Sequence, residues 1–524
     1  MNSFRPFTRT FTLILLSGFL FFSISCDRAK NNQSDIIWLT YNVSFENPEN
    51  KQFHVQFYCT GLKQDSVELR MARWSPGYYQ IMDYGDKLSG FTVKDNNDHD
   101  LEFFENEGYS WKVKTDGKQF TVSYDILCDR QFVAENYLDS THAYLLPAAS
   151  FLYIRGLENA AYTLELTPLK QWDNIATGLR PIPGKIYTFT ADNLDILFDC
   201  PILAGKLEEL PEFQIDGVCH RFIGYRMDTF DRQMLMSNLE KAIGTATKLI
   251  GDIPYEEYTF IGIGPGYGGI EHLNSTAVSF TGHNLNIPTV MTGTLSYLIH
   301  EYFHSYNVKR IRPFELGPFD YSRENHTDLL WVSEGFTVYY EYIILKRAGL
   351  MNEQEFFHAL SANIEAAEND PGRKYQSLAE ASYSTWTDGP FGGSGQKDRS
   401  ISVYDKGACL GLILDLAIRE ASRNERSLDD LMRLLYTEYY KKQDRGFTAA
   451  EFREACEKVA GIPLEKVFKY VYTTREPDYE SYLSAAGLKL QIIQDPKTLY
   501  RHYSISKSET RTPDQDKLLE CWLN

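Results

Sequence analysis

Hydrophobic and polar residues alternate in short runs between about residues 36 and 215. The clearest runs cover residues 53–59, 67–71 and 120–126, where every second position is apolar. A period of two is typical of strands that bury one face. Turn signals such as Pro76-Gly77 separate the runs. The pattern predicts an all-β sandwich over this part of the chain.

After about Asp228 the apolar positions follow a helical period instead. The predicted helices, or starts of helices, fall at residues 234–250 before Gly251, at 328–348 behind a Thr327-Asp328 cap, and at 427–430, 448–451 and 462–465. Small polar residues at such starts and glycine at such ends are the usual capping signals. A short strand at 258–263 is predicted before most of these helices.

These patterns together predict a multidomain α+β protein. We expect an N-terminal β-domain at residues 36–220, a mainly helical domain at 221–490 and a C-terminal tail at 491–524 that is polar and loop-like. A chain of 524 residues is long enough for several domains, each with its own core.

The net charge of the chain bears on which partners it can bind. The net charge is −18, and no basic run stands out in the mature chain. Because nucleic-acid binding needs a positive surface, the charge argues against nucleic acid as a partner. The composition suits a solvated, exported enzyme.

The first 25 residues are predicted to be a signal peptide. Arg5 and Arg9 precede an apolar stretch, residues 13–22, that is too short for a comfortable membrane span. Residues 23–26 (SISC) then resemble a bacterial lipoprotein cleavage site with Cys26 as the lipid attachment residue, although Ser23 stands where Leu is usual. The alternative is a plain secretory signal with an incidental cysteine. In either case we expect a protein of the bacterial cell envelope, anchored to the lipid bilayer or secreted to the periplasm, with residues 26–35 as a linker.

The eight cysteines are scattered and form no C-x-x-C pair. If Cys26 carries lipid, an odd number remains, which is not typical of a disulfide framework. The fold is expected to depend on its core, with one or two bridges at most.

Residues 300–304 (HEYFH) match the H-E-x-x-H pattern of zinc metalloproteases. Residues four apart on a helix differ by about 40° around its axis, so His300 and His304 can bind one metal ion from one face. Glu301 lies beside them and can act as a general base on water without binding the metal. The alternative is a buried helix with two satisfied histidines.

A catalytic zinc needs a third protein ligand. Glu334 lies among apolar residues in the predicted helix at 330–337 (LWVSEGFT), and burying an unpaired carboxylate is costly, so a metal ion is a natural partner. Gly335 would permit close packing against the H-E-x-x-H helix. A pairing of Glu334 with an arginine is the alternative, and Glu341 is the main rival ligand.

Two further segments can serve the same reaction. Residues 268–272 (GGIEH) follow the predicted strand, so the backbone at Gly268 and Gly269 can line a substrate cleft while Glu271 holds the ammonium of a peptide N-terminus. His272 is not assigned to a metal. Tyr404 can donate to the developing oxyanion, a role whose loss typically costs about 10²–10³ in rate. The glycine-rich residues 388–400 are predicted to be a lid or a surface connection.

The chain closely resembles the glycyl aminopeptidase family of zinc peptidases, which belongs to the gluzincins. The resemblance lies in residues 300–313 (HEYFHSYNVKRIRP), 330–340 (LWVSEGFTVYY), 268–272 (GGIEH) and 404–407 (YDKG), with 74–79 (WSPGYY) and 136–142 (NYLDSTH) in the N-terminal domain. It covers about residues 36–490. It implies a thermolysin-like catalytic domain with one Zn²⁺ on His300, His304 and Glu334, and Glu301 as base.

The resemblance also implies amine recognition near Glu271, an oxyanion role for Tyr404, and a preference for Gly or Ala at the substrate N-terminus. Members of the family commonly carry a PDZ domain after the catalytic domain. Only about 34 residues follow Leu490, so peptide docking through a PDZ groove is not expected.

The predicted function is a zinc-dependent aminopeptidase acting on peptides. A zinc endopeptidase in which Glu271 only lines the cleft is the first alternative. The second is a non-catalytic binding protein of the cell envelope, which the presence of all four central residues argues against. The third is a hydrolase of a non-peptide ligand such as an epoxide.

Overall fold

The first half of the chain folds mainly into sheets. The computed structural model describes residues 37–391 and 399–524; the predicted signal peptide, Cys26 and part of the glycine-rich segment lie outside them. The first fifteen strands are β1 (Trp38–Ser44), β2 (Gln52–Thr60), β3 (Ser66–Arg70), β4 (Leu88–Asp95), β5 (Phe103–Asn106), β6 (Ser110–Lys114), β7 (Phe120–Leu127), β8 (Tyr137–Leu138), β9 (His142–Leu145), β10 (Tyr153–Ile154), β11 (Tyr162–Thr167), β12 (Asn174–Thr177), β13 (Arg180–Pro181), β14 (Thr188–Ala191) and β15 (Ile202–Gly205). One short helix, α1 (Leu194–Phe198), lies among them.

These strands form three sheets. The largest has the order β13-β14-β11-β1-β2-β7-β4, and the two four-stranded sheets have the orders β10-β3-β6-β5 and β12-β15-β9-β8. The predicted alternation is confirmed in β2, where Phe53, Val55 and Phe57 are buried between half-buried polar neighbours. Strand β7 has the same alternation. The mostly-sheet character of this part was therefore readable from the period of two.

The second half combines one mixed sheet with helices. Its remaining strands are β16 (Glu208–Glu209), β17 (Phe213–Ile215), β18 (Val218–Gly224), β19 (Glu257–Gly262), β20 (Gly269–Glu271), β21 (Ser275–Val278), β22 (Leu488–Gln494) and β23 (Arg501–Lys507). Its helices are α2 (Arg232–Ile250), α3 (Pro288–Phe303), α4 (Leu330–Arg347), α5 (Glu353–Asn369), α6 (Leu378–Tyr383), α7 (Thr385–Asp388), α8 (Val403–Ala421), α9 (Leu428–Leu435), α10 (Ala449–Ala460), α11 (Glu465–Tyr472), α12 (Tyr479–Ala485) and α13 (Pro513–Leu523).

The mixed sheet is larger than the single short strand that the sequence predicts. Strands β16, β18, β19, β21 and β20 are neighbours in that order, and β17 pairs with β18. Strand β20 lies at an edge and pairs antiparallel with β21. The short strands β20 and β21 are too brief to carry a period, so only their pairing defines them.

Most predicted helix ends are confirmed. Helix α2 ends at Gly251 in the left-handed conformation, and Ser427 and Thr448 form capping boxes at the starts of α9 and α10. The predicted cap of α4 is wrong. That helix has Leu329 at its N-cap, where no side chain caps the helix, and the Thr327 hydroxyl accepts from the Leu329 amide instead.

The C-terminal tail is ordered, and its predicted loop-like character is wrong. Strands β22 and β23 form a hairpin, and α13 follows with a capping box at Thr512. The Trp522 side chain is fully buried, and its indole donates to the Tyr339 hydroxyl at 2.7 Å. The hairpin and the short helix each bury only one face. Many of their residues are therefore polar, and the sequence resembles that of a loop.

The seven cysteines among the described residues are all unbonded. In the described ranges, no helix has the length and apolar character that a membrane span requires.

Candidate metal centre

Helix α3 brings two histidines together at its C-terminal end. Pro288 occupies its first turn, and buried Leu295, Leu298 and Ile299 hold the helix in the core. His300 lies in the last turn, and His304 is the C-cap residue, still in right-handed helical geometry. Their Nε2 atoms are 3.1 Å apart. The four-residue spacing thus turns both imidazoles to one point, as predicted.

Helix α4 supplies a carboxylate to the same point. Glu334 is 3% exposed, and its Oε2 lies 3.2 Å from His304 Nε2 and 3.8 Å from His300 Nε2. One ligand atom from each of the three residues lies within 4.8 Å of the others, so the set can hold a metal ion. Two imidazoles and one carboxylate are a donor set typical of catalytic zinc.

The Nδ1 atoms of both histidines, which face away from the cluster, each have a hydrogen-bond partner. His300 Nδ1 is 2.9 Å from Glu341 Oε2, and His304 Nδ1 is 2.7 Å from the Asn307 carbonyl oxygen. Both partners accept, so each Nδ1 carries a hydrogen and each Nε2 is the nitrogen that faces the centre. Two such nitrogens and a carboxylate facing one another are a set that a cation between them completes, so these residues fit zinc.

Glu341, the rival third ligand, contacts the outer side of His300 instead. Its Oε1 also accepts from the Ser296 hydroxyl at 2.8 Å. Glu341 therefore fixes the orientation of His300, and Glu334 is the carboxylate at the cluster centre.

The charges of this cluster reinforce one another. Burial by itself lowers the pKa of His300, but the Glu334 and Glu341 carboxylates outweigh it and raise that pKa well above its ordinary value. Burial by itself raises the pKa of Glu334, but His304 and His300 lower it to about 2. The cluster therefore stabilises a positive charge at its centre.

Glu301 points to the cleft rather than into the cluster. Its carboxylate lies against strand β20, so closely that a Cβ added at Gly269 would be 2.3 Å from Glu301 Oε1. Glycine at 269 permits this approach, and a larger residue there would displace the Glu301 carboxylate. Burial raises the pKa of Glu301 to about 7, more than the nearby His300 and His304 lower it. A carboxylate with a pKa near neutrality is suited to accept and return a proton.

Glu271 ends strand β20 and is buried, with 4% of its surface exposed. Its Oε1 has no hydrogen-bond partner among residues 37–391 and 399–524. A buried, unpartnered carboxylate oxygen is costly unless a ligand completes it. The position is suited to a cationic group.

His272, which follows Glu271, has a structural partner. Its Nδ1 lies 3.3 Å from Asp199 Oδ1, and the Leu273 amide donates to Asp199 Oδ2 at 2.6 Å. Lys309 Nζ donates to the same carboxylate at 2.7 Å. Asp199, at the end of α1, thus ties the Glu271 turn to the segment behind the H-E-x-x-H helix.

Tyr404 lies in the first turn of α8, beside the metal cluster. Its ring is stacked 5.9 Å from the His300 ring and 4.9 Å from the Phe391 ring, measured between centroids. Burial raises the pKa of Tyr404 well above 10.0, and the nearby carboxylates, Glu334 first among them, raise it further. The hydroxyl therefore stays protonated and can donate.

The sequence suggested that Gly335 packs against the H-E-x-x-H helix. The structure shows that it does not. A Cβ added there would lie 2.3 Å from Gly407 Cα, so the close approach is between α4 and α8. The link from α3 to α4 is made by Asn307 instead, whose amide donates to the carbonyls of Val332 and Ser333 at 2.8 and 3.0 Å. Gly335 and Gly407 hold the Glu334 and Tyr404 helices together.

Two adjoining cavities surround these residues. The larger, here called the cleft, has a volume of about 660 Å³ and is lined by residues including Gly269, Tyr297, His300, Glu301, Phe391 and Tyr404. The smaller, here called the Glu271 cavity, has about 60 Å³ and is lined by residues including Pro76, Glu271, Lys309, Arg312, Phe319 and Tyr321. Gly77 and Tyr79 line both cavities.

Sequence reasoning missed several residues of the site. Asp199 is separated from the motifs in sequence. Asn307 and Arg312 lie within the run 300–313, but no spacing rule gives them a role, and Asn307 acts partly through its backbone carbonyl. Tyr79 belongs to the WSPGYY segment, whose Trp74 donates from its indole to the Asp320 carbonyl at 3.0 Å. The family resemblance of this segment was the one sequence signal that pointed to Tyr79.

The fold and the site together define a peptidase of the metal-dependent class: two histidines and a flanking glutamate on one helix, and a carboxylate from the next. Comparison with known families agrees. Residues 40–206 match the Peptidase M61 N-terminal domain, and residues 293–410 match the M61 glycyl aminopeptidase model. The two matches span more than half of the 524 residues. The chain belongs to the M61 glycyl aminopeptidase family.

Solved structures show the same architecture. An aminopeptidase N family protein from Idiomarina loihiensis is 26% identical, with a TM-score of 0.80 over 88% of this chain and 80% of that one. An M1 zinc metallopeptidase from Deinococcus radiodurans shares the fold at 14% identity, with a TM-score of 0.53 over 85% of this chain and 95% of that one. A search of curated proteins finds no match.

Proposed function

We propose that the protein is a zinc-dependent aminopeptidase that removes small N-terminal residues, Gly or Ala, from peptides. His300, His304 and Glu334 would hold one Zn²⁺. The observation that carries the proposal is the pairing of two features in one site. A cluster of three metal-binding side chains adjoins a buried, unpartnered Glu271 carboxylate that can bind an ammonium group.

Each remaining residue has a role that follows from its position. A zinc ion held in this cluster supplies a Lewis acid that polarises a carbonyl and lowers the pKa of a water to about 7. Glu301 takes the proton of the attacking water and delivers it to the leaving amine. The Tyr404 hydroxyl donates to the oxygen of the scissile carbonyl.

The substrate would be held at its N-terminal ammonium and along its peptide backbone. Glu271 would bind the free N-terminal ammonium, and the backbone of Gly269 on edge strand β20, with Gly268 directly before it, would align the peptide. The cavity beside Glu271 has only about 60 Å³, which supports a small first residue. The Deinococcus radiodurans relative has been crystallised with the peptide Tyr-Ser-Ala, which supports peptides as substrates of this fold.

The test uses purified protein lacking residues 1–26 and aminoacyl 4-nitroanilides with free or blocked N-termini. We expect release from free Gly and Ala substrates that a chelator abolishes and zinc restores. Cleavage of blocked peptides would instead support an endopeptidase in which Glu271 only lines the cleft. Stoichiometric zinc without any turnover would support a non-catalytic binding protein.

We also propose that the protein is exported and lipid-anchored through Cys26 in the bacterial cell envelope. The support is the order of Arg5 and Arg9, an apolar stretch and the SISC segment in the sequence. Labelled palmitate should be incorporated into the wild type in a bacterial host and not into Cys26→Ser. Equal labelling of both would refute the anchor.

A further inference from the structure

The Glu271 cavity holds charges that are paired, with two exceptions. Lys309 donates to Asp199 at 2.7 Å, and Asp195 accepts from the Tyr321 hydroxyl. The Glu271 Oε1 is the first exception, with no partner among the described residues. Under the proposed function, a substrate ammonium completes this carboxylate.

Arg312 is the second exception. Across residues 37–391 and 399–524, its guanidinium makes no hydrogen bond and no ion pair, although it lines the cavity with Glu271. Asp195 and Asp444 are near enough to influence it, yet neither pairs with it. Partial burial lowers the pKa of Arg312, which reflects the cost of shielding an unpaired cation from part of its water. An unpaired, half-buried charge that lines a cavity is a feature of binding sites.

The position of the cavity limits what can enter it. The α-amine and the side chain of a residue leave the same carbon atom, so an ammonium held on Glu271 places the first side chain close to Glu271. Gly77 and Tyr79 line both the cleft and the Glu271 cavity, so the two spaces meet at these residues. A side chain of the N-terminal residue that enters the Glu271 cavity would therefore share that space with Arg312.

We propose that the Glu271 cavity receives the side chain of the N-terminal residue and that Arg312 recognises an acidic side chain there, so that peptides with N-terminal aspartate are substrates besides those with Gly or Ala. This assignment rests on the proposed aminopeptidase function. With an ammonium on Glu271, Arg312 is the cation left without a counter-ion, and a carboxylate is the group that a guanidinium binds best.

Size selects aspartate within the acidic class. A cavity of about 60 Å³ has room for a few water-sized groups, at about 10–15 Å³ for each. The carboxymethyl group of aspartate fits this space, whereas an aromatic side chain does not. Asparagine has the same shape without the charge, so the Asp/Asn pair isolates the contribution of Arg312.

The experiment compares kcat/KM for Asp, Asn, Gly, Ala and Phe 4-nitroanilides with the zinc-loaded protein. We expect Asp to be preferred over Asn by about 10–100-fold, as for a hydrogen-bonded charge pair. In Arg312→Gln the Asp/Asn ratio should fall to about 1. The control Arg323→Gln removes an exposed arginine that pairs with Asp320 and lines neither cavity, and should retain the wild-type ratio.

The outcomes separate the inference from the function it rests on. Cleavage of Gly and Ala with an Asp/Asn ratio near 1 in the wild type overturns the inference and leaves the aminopeptidase function intact. A high ratio that persists in Arg312→Gln overturns the assignment to Arg312. Failure to cleave any free aminoacyl substrate with zinc bound overturns both. If Arg312→Gln does not fold, the wild-type ratio and Arg312→Lys, which keeps the charge without the planar fork, decide the question.

Discussion

Glu301 and Glu334 are both buried carboxylates beside His300 and His304, yet their surroundings give them different tasks. The Glu334 carboxylate faces the Nε2 atoms of the two histidines, whereas Glu301 faces the cleft against Gly269. The pKa of Glu334 is lowered by the histidines, and that of Glu301 is raised by burial. One residue is thus suited to hold a cation and the other to move a proton.

The role of Glu301 is tested by Glu301→Gln, which keeps the size of the side chain and removes its basicity. We expect kcat to fall by at least about 10²–10⁴, because general base catalysis is lost. Zinc content, measured by atomic absorption, should remain stoichiometric. The control Glu240→Gln changes an exposed residue of α2 and should retain full activity. Activity of Glu301→Gln within tenfold of the wild type would exclude Glu301 as the base.

Glu341 does not face the cluster centre but accepts a hydrogen bond from His300 Nδ1, and so orients that ligand. Removing its carboxylate in Glu341→Ala leaves His300 Nδ1 without its acceptor, so zinc affinity should fall by about 10–100-fold. Competition with a chelator measures this change. Glu341→Gln keeps a neutral acceptor and should lose less. Equal zinc affinity in wild type and Glu341→Ala would show that His300 is oriented by other contacts.

At the scale of elements, the site depends on the close packing of α4 against α8. Gly335 lies directly after Glu334, and Gly407 lies three residues after Tyr404, so the contact between the two glycines sets the separation of ligand and oxyanion donor. Helix α3 reaches the same pair through Asn307.

Gly335→Ala tests this packing. The added Cβ would lie 2.3 Å from Gly407 Cα, so the helices must separate, and we expect a loss of about 1–3 kcal/mol in the free energy of unfolding. Urea unfolding gives the value. Gly293→Ala is the matched control, because its Cβ meets nothing within 4 Å and helical alanine stabilises by about 0.5–1 kcal/mol over glycine. Equal stability of the two variants would contradict the close contact.

At the scale of the whole molecule, Asp199 connects the sheet-rich first half to the catalytic half. It comes from the end of α1, and it accepts from Lys309 and from the Leu273 amide on either side of the site. Burial raises the pKa of Asp199, but Lys309 and His272 outweigh it and lower the pKa from 3.8 to about 2. The depressed pKa contributes stability above pH 4 that is lost as the pH falls toward 2.

Lys309→Met tests this connection. It leaves the buried Asp199 carboxylate without its lysine partner, so we expect the free energy of unfolding at pH 7 to fall by about 3–5 kcal/mol. The difference from wild type should shrink by about 2–3 kcal/mol as the pH is lowered from 5 to 2, because protonation removes the charge in both. Urea unfolding at several pH values measures it. Lys185→Met, an exposed lysine of the same chain, should show neither effect. A deficit independent of pH would point to lost packing rather than lost charge.

The sequence alone determined those features that depend on local spacing. The period of two in β2 and β7, the capping boxes at Ser427 and Thr448, and the four-residue spacing of His300 and His304 are all properties of a short stretch of chain. They predicted the mostly-sheet first half, most helices and the helix that carries the metal site, because strand and helix geometry fix which neighbours share a face.

Only the tertiary structure decided which distant residues meet. The place of Glu341 on the outer side of His300, the contact of Gly335 with α8 rather than α3, and the ordered tail closed by Trp522 depend on how helices pack. The same holds for the pairing of Asp199 with Lys309 and for the unpaired Arg312 beside Glu271. These contacts join residues far apart in the chain or on opposite sides of a motif, and no local period encodes them.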